Sequence, residues 1–478
     1  MESKRFGKNL IMVAFSRMVS LTASVLTGFL LPKILSVSDY GFYKVFTLYA
    51  VYTALLHFGF VDGILLKIAG KDYKELELPK MRTYTGFFMM FEMLVSLVMI
   101  GLGAWFSSGE YFFVVCMLAM NMIFVNITTY YQFISQAIQR FSEYSAKSLI
   151  VSVVKVIFVA VLSILYFADI MDISYRVYLI GLNVLDFGVM MWYISIYREI
   201  TFGRREPIGG LKKDIVDIFK TGIVLTMAYQ VSHLVLALDR QFVNILFTTE
   251  VFAVYSFAYN IVSLISTMIS SVSVVLLPML KNRSREHVVE SYKTALTVVA
   301  IVAAAGLLMH YPLVVFIDWF LPAYQGSVKY IAIVLLAFLF TAVITVVMFT
   351  IAKVLDMSFD FFKDSCIVLC CGLLTNSAAY VLFRSPEAIS YASLIVMMLW
   401  FIISGLRLKK KTGVCVYNAF IYLVIISVGF LFIGSVVNNV FAGFIAYAVW
   451  LIVWSALIYR KTVKRLIKTL LNKNIEYS

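Results

Sequence analysis

The chain is built from long apolar runs separated by short polar breaks, and the first two runs set the pattern for the rest. Residues 9–31 and 41–68 are each long enough for the roughly 20 apolar residues that a helix needs to cross a bilayer core. A short turn, Ser36-Val37-Ser38-Asp39-Tyr40, joins them. The same rhythm predicts spans at about 83–106, 111–137, 146–168 and 174–197, then, after a basic stretch, at 215–246, 251–279, 292–317, 327–351, 362–383, 387–406, 416–437 and 440–459. Fourteen spans is the expectation; twelve would follow if the last hairpin did not cross. The first run carries Arg17 about eight residues in, roughly 12 Å deep at about 1.5 Å per residue. The second carries His57 and Asp62. A charge facing lipid at such depth costs several kcal/mol, so these groups should face protein or a water-filled lumen.

Composition agrees: of 478 residues, 62% are hydrophobic and only 14% charged, which excludes a soluble domain and predicts an all-α polytopic membrane protein. The net charge of +14 raises nucleic acid as a partner, but the placement of the charges argues against it. With the N-terminus in the cytosol, all of the 40 Lys and Arg except Lys33, Lys44, Arg176, Arg240, Lys329 and Arg384 fall on the inner side. That alternation predicts cytosolic termini and an even number of spans. Cys116, Cys366, Cys370, Cys371 and Cys415 lack the spacing of a metal site or disulfide framework and read as small apolar packers. Lys4, Arg5 and Lys8 before an apolar run imitate a signal peptide, but the run is too long and contains Arg17, so an uncleaved first helix is expected.

Two stretches, 207–220 and 460–473, mix aliphatic residues with Lys and Arg, as helices lying on the inner membrane surface do. A weak repeat is visible. Ser38-Asp39-Tyr40-Gly41-Phe42-Tyr43 returns as Thr249-Glu250-Val251-Phe252-Ala253-Val254-Tyr255, each copy between the first and second helix of a six-helix set. The expected organisation is therefore a six-helix lobe at 1–200, a basic linker at 201–214 and a second six-helix lobe at 215–410. An added helix pair at 411–460 and a basic amphipathic tail at 461–478 complete it. Transporters often carry such repeats, with the substrate path between them.

Phe15-Ser16-Arg17, the segment Leu35-Ser36-Val37-Ser38-Asp39-Tyr40-Gly41, and His57-Phe58-Gly59-Phe60 come in that order. Further on come Asp239-Arg240, Tyr255-Ser256-Phe257-Ala258-Tyr259-Asn260 and Leu277-Pro278-Met279-Leu280-Lys281. This ordered set resembles the polysaccharide transporter (oligosaccharide flippase, Wzx-type) branch of the multidrug/oligosaccharidyl-lipid/polysaccharide exporter superfamily. The resemblance runs over essentially the whole chain. It implies a flippase that moves a polyprenyl-pyrophosphate-linked oligosaccharide, undecaprenyl-linked in bacteria, across the inner membrane for O-antigen, capsule or exopolysaccharide assembly. Pathway glycosyltransferases and a polysaccharide polymerase would be its partners. Related lipid II flippases share a Phe-Ser-Arg triplet in helix one, so Arg17 matches a substrate-binding arginine; their further Arg-Asp pair is replaced here by Ala23-Ser24.

Such a substrate requires cations for the diphosphate and hydroxyls or amides for the sugars. Arg17 and Lys155 lie at mid-depth and suit phosphate, Arg17 first. Glu92 and Asp186 lie at similar depth and are candidates for cation coupling, unless these four groups merely pair with one another. Asn121 and Gln132, in a stripe with Thr128, Gln136 and Gln139, and Asn260, in a stripe with Ser256 and Ser263, suit a wet lumen or close helix packing. Asp239 and Arg240, adjacent and so about 100° apart around a helix, read as an outer gate or an interfacial structural pair. His57, His233 and His310 read as structural. No Gly-rich phosphate loop with Lys-Ser/Thr and no His/Cys cluster occurs, so neither ATP hydrolysis nor a metal cofactor is expected. The competing readings are a cation-coupled multidrug exporter of the same superfamily and a membrane-embedded glycan transferase or ligase. For the latter, the short basic loops are poor material.

Overall fold

The computed structural model describes the backbone of residues 2–281 and 284–460, and the side chains of those residues except 2–17, 141, 142, 144, 228 and 266–281. The Arg17 side chain and the amphipathic tail expected at 461–478 lie outside the described residues. What is described is 89% helical with no strand. The helices are α1 Glu2–Ile34, α2 Val37–Ala50, α3 Phe60–Ile68, α4 Leu78–Phe106, α5 Gly109–Ala137, α6 Phe141–Phe167, α7 Tyr175–Ile196, the short α8 Arg198–Thr201, and α9 Ile208–Leu246. They continue as α10 Thr249–Lys281, α11 Arg285–Gly306, α12 His310–Phe320, α13 Val328–Ala342, α14 Phe349–Val354, α15 Ser358–Phe383, α16 Pro386–Thr412, α17 Tyr417–Val436 and α18 Val440–Ile458. Eleven described helices are long and apolar enough to cross a membrane. The bent pair Val37–His57 and Phe60–Ile68 makes a twelfth if taken as one span, and Met18–Ile34 and Thr249–Ile265 are shorter apolar helices. This is a multi-pass membrane protein.

Three expectations are corrected. The second run is not one straight helix: α2 and α3 are bent by 56° around a tighter turn, Thr53–His57. The break follows from the backbone, where Phe58 (φ 48°) and Gly59 (φ 84°) are both left-handed, a conformation that glycine adopts without the Cβ penalty. The stretch 207–220 does not form a separate amphipathic helix. It forms the first turns of the 39-residue α9, and its apolar stripe, Leu211, Ile215 and Ile218, is buried against Phe60, Ile64 and Tyr84. A stripe already covered by protein has no apolar face left for lipid. The spans at 292–317 and 327–351 are also interrupted, by a tight turn at Leu307–Met309 and by a π-helical stretch at Val343–Met348.

The chain divides into two compact units, Met1–His233 with Thr248–Ala253, and Leu234–Phe247 with Val254–Ser478. In the first, aromatic rings fill the centre. Phe60 stacks on Phe88 with centroids 5.1 Å apart, Phe88 on Tyr130 at 5.2 Å, and Tyr131 on Tyr197 at 5.7 Å. Their hydroxyls find partners inside: Tyr130 on Thr85 at 2.9 Å, Tyr131 on Thr201 at 2.7 Å, and Tyr197 on Ser135 and Glu143. At the basic end, Arg82 donates to the carbonyls of Glu199 (2.7 Å) and Arg204 (3.2 Å), tying the stretch after α7 to α4. Burial, with the Glu199 carboxylate next in weight, pushes the phenol of Tyr73, in the connection between α3 and α4, up from its ordinary pKa. Residues 38–43 and 249–255, the two similar segments, touch within this unit at Gly41 and Thr249. A Cβ on Gly41 would lie 2.5 Å from the Thr249 carbonyl, and Tyr111 Oη is 3.3 Å from Thr249 Oγ1.

In the second unit, α13 and the π-helical stretch are buried nearly throughout, packed by Phe340, Phe401 and Trp400. The hairpin α17–α18 packs on α11 and α12. Tyr447 Oη donates to the Ala304 carbonyl at 2.8 Å, His310 meets Phe430 with centroids 5.2 Å apart, and Gly443 leaves room for Tyr311.

Candidate functional site

Four of the candidate residues come together on α5, α6 and α7. Lys147, Val151 and Lys155 recur every fourth residue and share one face of α6. With Asp186, Val189 and Trp192 of α7 they line a cavity of about 240 Å³. Lys147 Nζ donates to Gln132 Oε1 at 2.9 Å, and Asn121 Nδ2 donates to Asp186 Oδ2 at 2.8 Å. Lys147 also feels the charges of Asp186 and Lys155. The remaining lining is aliphatic except for Trp192, so two ammonium groups and one carboxylate face a largely apolar space. The balance is one net positive charge, and apolar walls strengthen its pull on an anion. Lys147 was not among the candidates; its position near the inner end of a span made it look like an ordinary positive-inside residue. Its spacing from Lys155 was the available signal. On the same helix, Ser148 and Ser152 hold Ser20 of α1 at 3.1 and 2.7 Å, so that hydroxyl serves packing.

Glu92 is not with this group. It is fully buried on α4 (0% exposed), Oε2 accepts from Asn126 Nδ2 at 3.0 Å, and no ion pair reaches it among the described residues. Asn126 Nδ2 also donates to the Thr53 carbonyl at 3.2 Å, in the tight turn of the bent span. Further round the same bend, His57 Nδ1 accepts from the Gly59 N–H at 3.1 Å, its Nε2 lies 4.0 Å from Asp62, and Asp62 accepts the Thr226 hydroxyl. His57 and Asp62 thus face protein, as the cost of charge in lipid requires. A second cavity, about 420 Å³, is lined by Tyr49, Tyr52, Thr53, Met99, Tyr111 and Leu118 among others.

Asp239, Arg240 and Asn260 lie in the other compact unit. Asp239, 3% exposed, accepts the Tyr255 hydroxyl at 2.7 Å and the Tyr259 hydroxyl. The Arg240 guanidinium lies over the Tyr259 ring, 4.5 Å from its centroid. The two neighbours on α9 point apart and form no ion pair with each other, yet both grip the same tyrosine of α10. Asn260 follows that tyrosine and is half-buried, its carbonyl accepting the Ser263 hydroxyl at 2.7 Å. Among the described residues no cluster of three or more His, Cys, Asp or Glu is placed to hold a metal.

No protein-family model matches the sequence, and no curated protein sequence matches it. Solved structures do. The lipid II flippase MurJ in an inward closed conformation superposes with a TM-score of 0.70 at 14% identity, over 95% of this chain and 99% of that one. An inward-facing multidrug resistance MATE family transporter of the MOP superfamily gives 0.60 at 12% identity, over 83% and 94%. The chain shares the fold of these structures. A MATE transporter of Vibrio cholerae, VcmN, adds a TM-score of 0.56 at 13% identity, over 85% and 97%. By name these neighbours are a flippase and transporters.

Proposed function

We propose that this protein is an alternating-access flippase for a polyprenyl-pyrophosphate-linked oligosaccharide, acting in a bacterial inner membrane with both termini in the cytosol, for cell-surface polysaccharide assembly. The observation that carries the reading is the α6–α7 cavity, where Lys147 and Lys155 face an apolar lining with Asp186 between the helices. The two lysines are eight residues apart, roughly 12 Å along the helix axis. A diphosphate entering from the cytosolic end meets Lys147 first and Lys155 at mid-depth. Asn121 and Gln132, already hydrogen-bonded at this site, supply amides suited to sugar hydroxyls. Arg17, on the helix whose Ser20 is held by Ser152, is the remaining candidate cation. The likeness to a lipid II flippase over 95% of the chain supports a lipid-linked cargo.

The likeness to MATE transporters favours a second reading, a cation-coupled multidrug exporter. Purified protein in vesicles separates the two. With a fluorescent polyprenyl-pyrophosphate glycan in one leaflet, the flippase reading expects protein-dependent transfer to the other, slowed when Lys147 and Lys155 are changed to Ala. Export of cationic dyes, with no transfer of the glycolipid, would overturn the flippase and favour the exporter.

A further inference from the structure

The flippase reading leaves one buried titratable group without work. Glu92 sits two and a half turns into the apolar body of α4 and is wholly removed from solvent. Its Oε2 accepts from Asn126, while its Oε1 has no hydrogen-bond partner among the described residues. The groups packed around it offer no countercharge. α5 presents the Asn126 amide. The tight turn presents Thr53 and, one turn on, His57, which is engaged with the Gly59 N–H and faces Asp62 rather than Glu92. α8 meets α4 at its inner end, where Arg82 is committed to the Glu199 and Arg204 carbonyls about 15 Å along the helix from Glu92. An ionised carboxylate so placed is penalised heavily unless paired, and it neutralises instead.

We infer that Glu92 is a proton-binding site, held as the neutral acid in this conformation and exchanging its proton when the bend between α2 and α3 rearranges. Asn126 is the link. One side-chain nitrogen donates both to Glu92 and to the Thr53 carbonyl, so the carboxyl and the unwound turn are held by the same amide. Thr53 also lines the 420 Å³ cavity, which runs past Tyr49 and Tyr52 on one side and Met99 and Leu118 on the other. If the turn moves, the amide must release one of its two acceptors, and the carboxyl meets the cavity. In the step itself the O–H bond on Glu92 breaks, the proton passes to cavity water, and the carboxylate left behind is solvated there. Reprotonation reverses it. The donor set suits a proton rather than a metal cation, because Asn126 turns an N–H, not its oxygen, toward the acid and only one carboxyl oxygen is unengaged. This adds a coupling group to the proposed flippase and does not depend on the identity of its cargo.

The test uses the full chain in lipid vesicles. Infrared spectra at neutral pH should show a protonated carboxylic acid band that is lost in Glu92→Gln. A pH gradient, acid outside, should change wild-type transport several-fold, while the Gln variant transports without responding to it. Asn126→Leu gives an independent arm that keeps the acid: its carboxyl should ionise at a different pH from the wild type. An absent band in wild type, or a Gln variant that keeps the full gradient response, would overturn the proposal, as would coupling that follows a Na+ gradient instead. The infrared arm needs no substrate, so a band without glycolipid transfer defeats the flippase reading and leaves the proton site standing.

Discussion

The contact that holds the bent span in place is a glycine crossing, and its removal has a calculable cost. Gly59 and Gly63 lie four apart on one side of the bend, and α9 approaches them at Gly222. A Cβ on Gly222 would fall onto the Gly59 carbonyl and lie 2.5 Å from Gly63 N, both backbone atoms that cannot rotate away. Ordinary contact begins near 3.4 Å, so α9 and the bend must part by well over an ångström. Forcing a methyl into a packed contact costs about 1–3 kcal/mol. One turn on, Thr226 donates to Asp62, and a strained or lost bond to a buried charged group adds about 1.5–3 kcal/mol. Alanine's better helix propensity returns about 1 kcal/mol. Gly222→Ala should therefore destabilise by about 1.5–5 kcal/mol, read as a lowered melting temperature in detergent, with transport reduced alongside. Gly101→Ala is the matched control: nothing lies within 4 Å of its Cβ on α4, and it should be neutral or stabilising by up to about 1 kcal/mol. Equal melting of the two variants would refute the close approach of α9 to the bend.

Other outcomes follow from single contacts. Lys155→Ala removes one of two cations from the α6–α7 cavity and should weaken pyrophosphate-lipid binding by about ten- to a hundredfold, the worth of a hydrogen bond to a charged group; fluorescence titration of the purified protein reads this, and unchanged affinity removes that residue from the site. Arg407 holds the buried Asp364 at 2.5 Å, so Arg407→Ala strands a carboxylate and should cost about 3–5 kcal/mol, much of it recovered when Asp364→Asn is added. Thermal unfolding of the single and double variants decides. Asp239→Ala leaves the Tyr255 and Tyr259 hydroxyls without their acceptor; a loss of about 2–6 kcal/mol is expected, and a variant as stable as the parent would show that the cluster is not structural.

Much of the fold was legible because lipid enforces a simple rule, that long apolar runs be helices and charges find protein. His57, Asp62 and Glu92 could be assigned to the interior from depth alone, and all three are buried. Breaks inside runs were not legible. Nothing in an apolar string marks Phe58 as left-handed, and Gly59 is one of 24 glycines. The stretch 207–220 misled for a related reason: an amphipathic stripe states that one face is apolar but not whether lipid or Phe60 and Ile64 cover it. At the candidate site, Lys155 and Asp186 were recognised one by one, whereas Lys147 needed the helix phase and the neighbour α7 to become visible. The tie of Asn126 to Glu92 and Thr53 spans three separate segments, and no spacing in the sequence encodes it.

Backbone groups released by an interrupted helix must be satisfied without water, and the two compact units solve this differently. Around the π-helical stretch of the second, the remedy is local. Thr341 and Thr345 bond back to the carbonyls four residues earlier, and Val343, Ile344, Val346, Val347 and Met348 fill the core. That interruption is self-contained and tightly packed. At the bend of the first, part of the remedy is imported: His57 in the bend itself serves the Gly59 N–H, but Asn126 of α5 serves the Thr53 carbonyl and Thr226 of α9 holds the Asp62 side chain. Imported partners sit on other helices, so a movement of any one of those helices changes what the bend can satisfy. The proton exchange proposed for Glu92 rests on that dependence, through the one amide that holds both the Thr53 carbonyl and the acid.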